Sequence, residues 1–275
     1  MALVDPLSIK RVQKGLIRLI QKLEPTATTD GMGASVKRLM PTRALSTVDP
    51  FLLMDHFAVK PPAGFPPHPH RGFEIITYML TGAFRHEDDA GNRGIIPAGG
   101  LQRITAGAGI VHAEMPATED VNEGIQLWIN LPRSDKGVVP SYQDVAGDQL
   151  PTKRIDGAIV KTIVGDGSPV DIRRPMRYED VTVFPGIQFQ LSGIEGFQGL
   201  VYVLEGRGRF VFDTDSSGQA PVEAGAGEAL VFSQETIRSI RIVAHEDSAS
   251  SALRLIWFAG EPIGERPIFR GSFVD

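Results

Sequence analysis

The regular spacing of predicted turns restricts the fold of this chain more than any other feature of the sequence. From Val36 onward, short runs of branched and aromatic residues alternate with segments containing glycine and proline, a pattern typical of strands joined by tight turns. Many short strands with little helix predict an all-β sandwich or barrel. The predicted strands include residues 75–80, 102–105, 110–115, 124–131, 181–184, 200–204, 209–212, 229–232, 237–243 and 253–258. A polar run at residues 88–92 predicts a hairpin tip.

The two halves of this strand-rich region repeat each other. The segment YMLTG at residues 78–82 corresponds to YVLEG at residues 202–206, and a glycine-rich turn with a further strand follows each of them. We therefore predict two related β-sandwich units in one chain, at residues 36–150 and 151–275.

The first 35 residues follow a different pattern. Asp5 is suited to cap a helix and Pro6 to begin it, and apolar residues then recur with a helical period until Pro25. We predict an amphipathic helix at residues 5–24, with a basic stripe suited to docking on the protein body or on a partner. A flexible linker, rich in Thr, Gly and Ala, is predicted at residues 26–35.

Composition excludes several classes of function. The chain has no cysteine, so disulfides, zinc–thiolate sites, iron–sulfur clusters and cysteine nucleophiles are excluded, and any metal must be held by nitrogen and oxygen. A net charge of −5 offers no general attraction to nucleic acid, and no direct nucleic-acid binding is expected. No apolar run approaches the ~18 residues of a membrane span, and no signal peptide is visible. We expect a cytoplasmic protein, or a nuclear one in a eukaryote.

Two short segments carry residues suited to bind a metal. His68 and His70 flank Pro69, and in an extended chain their imidazoles point the same way. His112 and Glu114 share a face of a second strand for the same reason. The neighbouring residues are apolar or glycine, and burying such polar groups is costly unless a cation compensates. The pattern predicts a metal site of three histidines and one carboxylate.

Strand geometry leaves the identity of the carboxylate open. Glu74 lies an even number of positions from His68 and His70, so in a continuous strand its side chain would share their face. On this ground Glu74 and Glu114 are alternatives for the carboxylate ligand.

Other polar residues near these segments have weaker signals. His56 is predicted to be structural or to line a pocket rather than to bind metal. His86 stands near the hairpin tip beside acidic residues, which favours a solvated turn that could rim the site. Gln126, Trp128 and Asn130 alternate along one strand, and the sequence leaves open which of them face the cavity.

Three segments together resemble the pirin family, a bicupin group: DPFLLMDHF at residues 49–57, HPHRGFE at 68–74 and TAGAGIVHAEMP at 105–116. The second is similar to the general cupin motif, His-x-His followed by Glu and Gly. The third departs from the common cupin pattern, because Gln102 occupies the usual histidine position and His112 comes later, as in pirins. The resemblance covers roughly residues 36–275 and implies two cupin-type β-sandwich or jelly-roll barrels in tandem, with the N-terminal helix added.

The resemblance also implies a ligand set. His68, His70, His112 and Glu114 would hold one metal, usually Fe(II), with Mn, Ni, Co and Cu compatible with the same ligands. Glu74 would then support either the site or the fold without binding the ion. The second half has no equivalent set, since Ser192 and Ile194 occupy the positions that correspond to His68 and His70. One metal site is therefore expected.

Two functions follow from the resemblance. The first is quercetin 2,3-dioxygenase activity, in which a flavonol-like aromatic substrate reacts with O2. For this reaction our own hypothesis is that Glu114 accepts the proton of the substrate's 3-hydroxyl group. The alternative is an iron-dependent regulatory protein, similar to a transcription co-regulator, that acts through a protein partner without physiological catalysis.

Overall fold

The computed structural model describes residues 20–214, 220–233, 237–246 and 252–275, and in these ranges the chain is built from β-strands. A single 3-10 turn interrupts them at Arg133–Asp135. Among the described residues no helix is long and apolar enough to cross a membrane. The strands, in chain order, are β1 (Ile20–Leu23), β2 (Thr26–Asp30), β3 (Ala34–Met40), β4 (Phe51–Val59), β5 (Phe65–His70), β6 (Phe73–Thr81), β7 (Ala83–Asp88), β8 (Arg93–Pro97), β9 (Leu101–Thr105), β10 (Ile110–Pro116), β11 (Asn122–Asn130), β12 (Ser141–Val145), β13 (Thr152–Ile155), β14 (Ala158–Val164), β15 (Met176–Val183), β16 (Gln188–Ser192), β17 (Gln198–Glu205), β18 (Arg207–Asp213), β19 (Val222–Gly225), β20 (Ala229–Phe232), β21 (Ser239–Ala244), β22 (Leu253–Gly260), β23 (Phe269–Arg270) and β24 (Phe273–Val274).

The strands form two β-sandwiches of the same design, which confirms the predicted tandem arrangement. In the N-terminal sandwich, a seven-stranded sheet in the order β12-β9-β6-β11-β4-β3-β2 faces a four-stranded sheet in the order β5-β10-β7-β8. The C-terminal sandwich repeats this plan with β1-β20-β17-β22-β15-β14-β13 and β16-β21-β18-β19. A small two-stranded sheet, β23-β24, lies at the end of the chain.

The repeated YMLTG and YVLEG segments have a physical explanation. Each segment ends a central strand, and its last residue is a glycine in the turn that leads to the following strand. Gly82 precedes β7 and Gly206 precedes β18. Both glycines have positive φ, +68° and +74°. A Cβ at Gly82 would also lie 2.6 Å from Asn122 Oδ1, and one at Gly206 would lie 2.9 Å from the Ala252 carbonyl. Glycine is therefore required at both turns.

The two sandwiches differ in what fills them. The interior of the C-terminal sandwich is packed with apolar side chains, among them Val201, Phe210, Ile240, Leu255 and Trp257. The interior of the N-terminal sandwich holds apolar clusters at its two ends and a set of buried polar side chains between them. Polar chemistry in the described interior is thus concentrated in the N-terminal half.

The two large sheets pack against each other through a shared apolar cluster. Ile76 and Tyr78 of β6 contribute to it from one side, and Tyr178 of β15 and Phe258 of β22 from the other. The Tyr78 hydroxyl also donates a hydrogen bond of 2.9 Å to Oδ2 of Asp180. The outer face of the N-terminal large sheet is therefore buried by the second sandwich.

The N-terminal segment corrects part of the sequence prediction. Residues 5–19 of the predicted helix lie outside the described residues, but residues 20–23 form β1, which pairs antiparallel with β20 of the C-terminal sandwich. The free edge of β20 offers backbone hydrogen bonds that override a helical pattern at this point. Residues 26–35 are not a flexible linker either. Their threonines form β2, which pairs with β3 across a turn at Gly31 and Gly33.

The ends of the chain cross between the sandwiches. While β1 joins the C-terminal sandwich, residues 268–275 return to the N-terminal one, where Phe273 forms a parallel bridge with Arg71 and Val274 is fully buried. The boundary near residue 150 falls between β12 of the first sandwich and β13 of the second. The domain limits at 35/36 and 150/151 stay a prediction.

Candidate metal centre

Two neighbouring strands of the small N-terminal sheet bring three histidines together. In the antiparallel ladder of β5 and β10, His68 lies opposite His112 and His70 lies opposite Ile110. The ring centroids of His68 and His112 are 4.5 Å apart, those of His68 and His70 4.6 Å, and those of His70 and His112 5.0 Å. One nitrogen from each ring lies within 4.8 Å of the others.

The hydrogen bonds of these rings test whether a metal fits. Nδ1 of His68 lies 2.8 Å from the Pro66 carbonyl oxygen, so this nitrogen is suited to donate and leaves Nε2 free to bind an ion. Nδ1 of His70 and both ring nitrogens of His112 are buried without a hydrogen-bond partner among the described residues. Unpartnered buried nitrogens are costly in a protein interior, and a transition-metal ion would satisfy one nitrogen of each ring.

The electrostatic environment keeps the rings of His70 and His112 neutral. Burial lowers the pKa of His70 to about 3, and repulsion from His112 and His68 adds to this. Burial likewise lowers the pKa of His112 well below its ordinary value, again with a contribution from His68. Since imidazole binds a metal only when it is deprotonated, these two rings are in the binding form at neutral pH.

Glu114 reaches into the sandwich from the same strand as His112. A register shift in the β5 ladder separates the two residues, and the Glu114 side chain is buried. Its Oε1 accepts hydrogen bonds from Thr77 Oγ1 at 2.9 Å and from Gln102 Nε2. Its Oε2 accepts one from Gln126 Nε2 at 2.8 Å. The mutually close ligand atoms in the described chain belong to the three histidines, and Glu114 stands beside this group rather than in it.

Glu74 lies on the other side of the large sheet. Its Oε1 accepts a hydrogen bond from Thr105 Oγ1 at 2.7 Å, and its Oε2 accepts one from the Arg173 backbone at 3.1 Å. Parity fails here because β5 ends at His70 and β6 begins at Phe73 in a different sheet, with Gly72 at φ +87° between them. Glu74 therefore faces the C-terminal sandwich.

His56 serves the contact between the two sandwiches. Its Nδ1 lies 3.0 Å from the Tyr202 hydroxyl, and its Nε2 lies 2.7 Å from Oε1 of Glu123. The structural role predicted for this residue fits these contacts.

His86 is not in a solvated turn, which corrects the sequence interpretation. It is fully buried, stacks on Tyr142 with a centroid distance of 4.3 Å, and lies 5.4 Å from the His112 ring. Its Nε2 lies 3.2 Å from Oδ2 of Asp88. The alternation along β7 places His86 on the same face as buried Phe84, and this signal was available in the sequence.

Gln126, Trp128 and Asn130 lie on one strand, β11, but do not all face the cavity. Gln126 and Trp128 line the cavity in front of the histidines, and the Trp128 ring lies 4.9 Å from that of His70. Asn130 instead accepts a hydrogen bond of 2.8 Å from Lys136 Nζ. Gln102, which the sequence marked only as a poor ligand, donates to Glu114, a supporting role that local patterns did not indicate.

A cavity of about 570 Å³ opens in front of the histidines. Its size falls within the range of roughly 300–1,000 Å³ that is common for small-molecule sites. His68, His70 and apolar side chains such as Leu53 and Phe65 form part of its wall. The rest of the wall includes the charged side chains of Asp30, Arg38 and Asp55, and Phe269, Gly271 and Ser272 of the C-terminal segment. His112 and Glu114 lie behind this wall.

Comparisons with known proteins agree with this architecture. The Pirin family model matches residues 33–129. Pirin-like protein 2 of Arabidopsis thaliana is 40% identical over 261 residues, which covers 93% of this chain and 79% of that protein. Human Pirin is 37% identical over 251 residues, covering 90% of this chain and 83% of the human protein.

Solved structures add the fold. A structure of quercetin 2,3-dioxygenase from Acinetobacter baumannii superposes with a TM-score of 0.79 at 28% identity, covering 92% of this chain and 90% of that one. The bacterial pirin YhhW of Escherichia coli, solved in complex with nickel(II), superposes with a TM-score of 0.69 over 89% of this chain and all of that one; at 20% identity it shows the fold alone. Because relatives at 37–40% identity match most of both chains, this chain belongs to the pirin family.

Proposed function

We propose that this protein is a metal-dependent dioxygenase that cleaves flavonols with O2, in the manner of quercetin 2,3-dioxygenase. The observation that carries the proposal is the group of His68, His70 and His112, whose nitrogens lie within 4.8 Å of one another beside a cavity of ligand size. The likeness to the quercetin 2,3-dioxygenase of Acinetobacter baumannii, at 28% identity, supports the same reaction.

The proposed ligands are the three histidines together with Glu114. Fe(II) suits this set of nitrogen and oxygen donors, and Mn, Ni, Co and Cu are compatible with it. The complex of Escherichia coli YhhW with nickel(II) is consistent with a divalent ion in this fold. When bound, the metal would supply coordination positions for the adjacent hydroxyl and carbonyl oxygens of a flavonol, and the redox chemistry that O2 requires.

Glu114 is the proposed acceptor of the flavonol 3-hydroxyl proton. Hydrogen bonds from Thr77, Gln102 and Gln126 fix the orientation of its carboxylate. Gln126 also lines the cavity, so the carboxylate lies one side chain behind the cavity wall. A proton that leaves the 3-hydroxyl oxygen for Glu114 would leave an electron-rich substrate oxygen, the form of a flavonol that reacts with O2.

Aromatic and apolar side chains would hold the flat rings of the substrate. The Trp128 ring packs on Phe73 at 4.4 Å and presents its cavity side next to His70. Leu53 and Phe65 line the same cavity. Such a lining favours a planar aromatic molecule and excludes bulk water from the reacting atoms.

Two measurements on the purified protein test this function. Elemental analysis should find a divalent transition metal, and the metal-loaded protein should consume O2 when quercetin is added. Glu114→Gln keeps the size of the side chain but removes its charge, and we expect oxygen uptake to fall about a hundredfold. Metal without quercetin-dependent uptake in the wild type would contradict catalysis and favour the regulatory alternative.

A further inference from the structure

We propose that Asp30 and Arg38 select substrates that carry hydrogen-bond-donating hydroxyl groups, above all an adjacent pair, on the ring remote from the metal. This inference rests on the proposed function, because it assumes that a flat aromatic substrate occupies the cavity. It adds a specificity determinant on strands that carry none of the proposed metal ligands.

Three charged side chains form one cluster in the cavity wall. Arg38 on β3 donates from Nε to Oδ1 of Asp55 at 2.9 Å and from Nη2 to Oδ2 of Asp55 at 2.6 Å. The same Nη2 donates to Oδ2 of Asp30 at 2.6 Å. Asp30, Arg38, Asp55 and His68 all line the cavity. The charged cluster and the histidines therefore face one ligand space.

The two aspartates differ in what they leave for a ligand. The Asp55 side chain is 8% exposed and both of its oxygens are held by Arg38, whereas the Asp30 side chain is 50% exposed. Each Asp30 oxygen accepts one hydrogen bond among the described residues, from Gly31 N or from Arg38. A carboxylate oxygen can accept two, so Asp30 keeps one free acceptor site on each oxygen.

The backbone fixes where the Asp30 carboxylate points. Gly31 has φ +53°, and its N–H donates to Oδ1 of Asp30 at 2.7 Å. A Cβ at Gly31 would lie 2.6 Å from the Gly64 carbonyl oxygen, so only glycine fits this turn. Asp30 is thus a preorganised acceptor, and a ligand would bind it without first ordering the side chain.

Charge decides what kind of group this acceptor binds. Partial burial alone would raise the pKa of Asp30, but hydrogen bonds from Arg38 and Gly31 lower it below its ordinary value, which keeps the carboxylate ionised. With two carboxylates and one guanidinium, the cluster carries a net negative charge that repels anions. Nη1 of Arg38 forms no hydrogen bond within the described chain and remains a donor.

A neutral polyphenol matches this arrangement. Two hydroxyls on adjacent ring carbons can donate to the two Asp30 oxygens, while Nη1 of Arg38 can donate to one of the phenol oxygens. The chelating hydroxyl and carbonyl groups of a flavonol lie on a different ring from its pendant phenyl group. A substrate bound by its chelating end at the histidines can therefore present the pendant ring to the Asp30 cluster.

A pair of flavonols tests the inference by binding alone. Quercetin has two adjacent hydroxyls on the pendant ring, and galangin has none but is otherwise identical. The tryptophan fluorescence of this protein comes from Trp128, which lines the cavity, and from Trp257, which is buried in the C-terminal sandwich. Its quenching, measured without O2 on metal-loaded protein, should give the dissociation constant of each flavonol. Asp30→Asn should weaken quercetin binding about tenfold and change galangin binding less than about twofold.

Asp166→Asn provides the matched control, because Asp166 is fully exposed and lies outside the cavity. This variant should bind both flavonols like the wild type. Equal weakening of both flavonols by Asp30→Asn would overturn the inference, since a purely structural role of Asp30 has that effect. Equal binding of the two by the wild type would also overturn it. Selective binding without oxygen uptake would instead support the inference and overturn the dioxygenase function.

Discussion

Gln126 on β11 donates a hydrogen bond of 2.8 Å to Oε2 of Glu114 on β10, and this contact joins the two sheets of the N-terminal sandwich. Thr77 on β6 and Gln102 on β9 donate to the other oxygen from the same large sheet. A buried carboxylate is costly unless donors compensate for the lost water, and here three of them do. The small sheet supplies the residues proposed to bind the metal, and the large sheet holds the carboxylate in place.

Removing one of these hydrogen-bond donors to Glu114 should therefore weaken metal binding, although no proposed metal ligand is replaced. Gln102 is fully buried and does not line the cavity, so Gln102→Leu changes the support of Glu114 and leaves the substrate contacts intact. We expect metal affinity to fall about 10–100-fold, measured by competition with a chelator. Gln188→Leu, on an exposed position of β16, is the control. Wild-type affinity in Gln102→Leu would show that Glu114 needs no such support.

Two histidines whose rings lie 5.4 Å apart should differ in their effect on metal content. His112 has both nitrogens unpartnered among the described residues. His86 has only Nδ1 unpartnered there, because its Nε2 lies 3.2 Å from Oδ2 of Asp88, and its ring stacks on Tyr142. We expect His112→Ala to reduce bound metal to background, and His86→Phe, which preserves the stacking, to retain it. Elemental analysis of both variants measures this. A metal-free His86→Phe protein would make His86 a ligand.

Strand parity predicted the convergence of the histidines but not the course of the chain between strands. His68 and His70 share a face because β5 is continuous, and β10 presents His112 to them in register. The same reasoning misplaced Glu74, because the turn at Gly72 starts a new strand in another sheet. Parity holds within one strand and is lost wherever a turn intervenes.

Contacts between distant segments could not be predicted from local patterns. A helical period covers residues 20–23, yet the edge of β20 pairs with them as a strand. The Asp30–Arg38–Asp55 cluster depends on pairing among β2, β3 and β4, and its first member fell in a region predicted to be a flexible linker. The secondary structure of such segments depends on hydrogen bonds to distant strands, and local sequence patterns do not show these bonds directly.

His56 should make stability depend on pH. Burial lowers its pKa below 6.5, Lys37 adds to this, and Glu123 partly opposes it. Between the lowered pKa and 6.5 the unfolded chain binds a proton that the folded protein does not bind, so this contribution to the free energy of unfolding falls as pH drops below about 6.5. Urea unfolding at about pH 7.5 and about pH 5 should show a smaller loss for His56→Gln than for the wild type.

Tyr202→Phe is the control for this experiment. It removes the hydroxyl that lies 3.0 Å from Nδ1 of His56 but keeps the titrating imidazole, so the pH dependence of the wild type should persist. An identical loss of stability in His56→Gln and the wild type over this range would contradict the prediction.

The C-terminal segment should contribute to ligand binding although it lies far from the histidines in sequence. Val274 is fully buried next to Phe73, and the Lys136 ammonium donates a hydrogen bond of 3.1 Å to its carbonyl oxygen. This anchor holds the segment that places Phe269, Gly271 and Ser272 in the cavity wall. Val274→Asp would bury an unpaired carboxylate, so the segment should detach and quercetin binding should weaken about tenfold.

Ile268→Asp, at a position that is 48% exposed in the same segment, is the control and should bind quercetin like the wild type. Faster trypsin cleavage after Arg270 in Val274→Asp alone would report the detachment. Unchanged quercetin binding by a protein with a detached segment would show that the cavity does not need this wall.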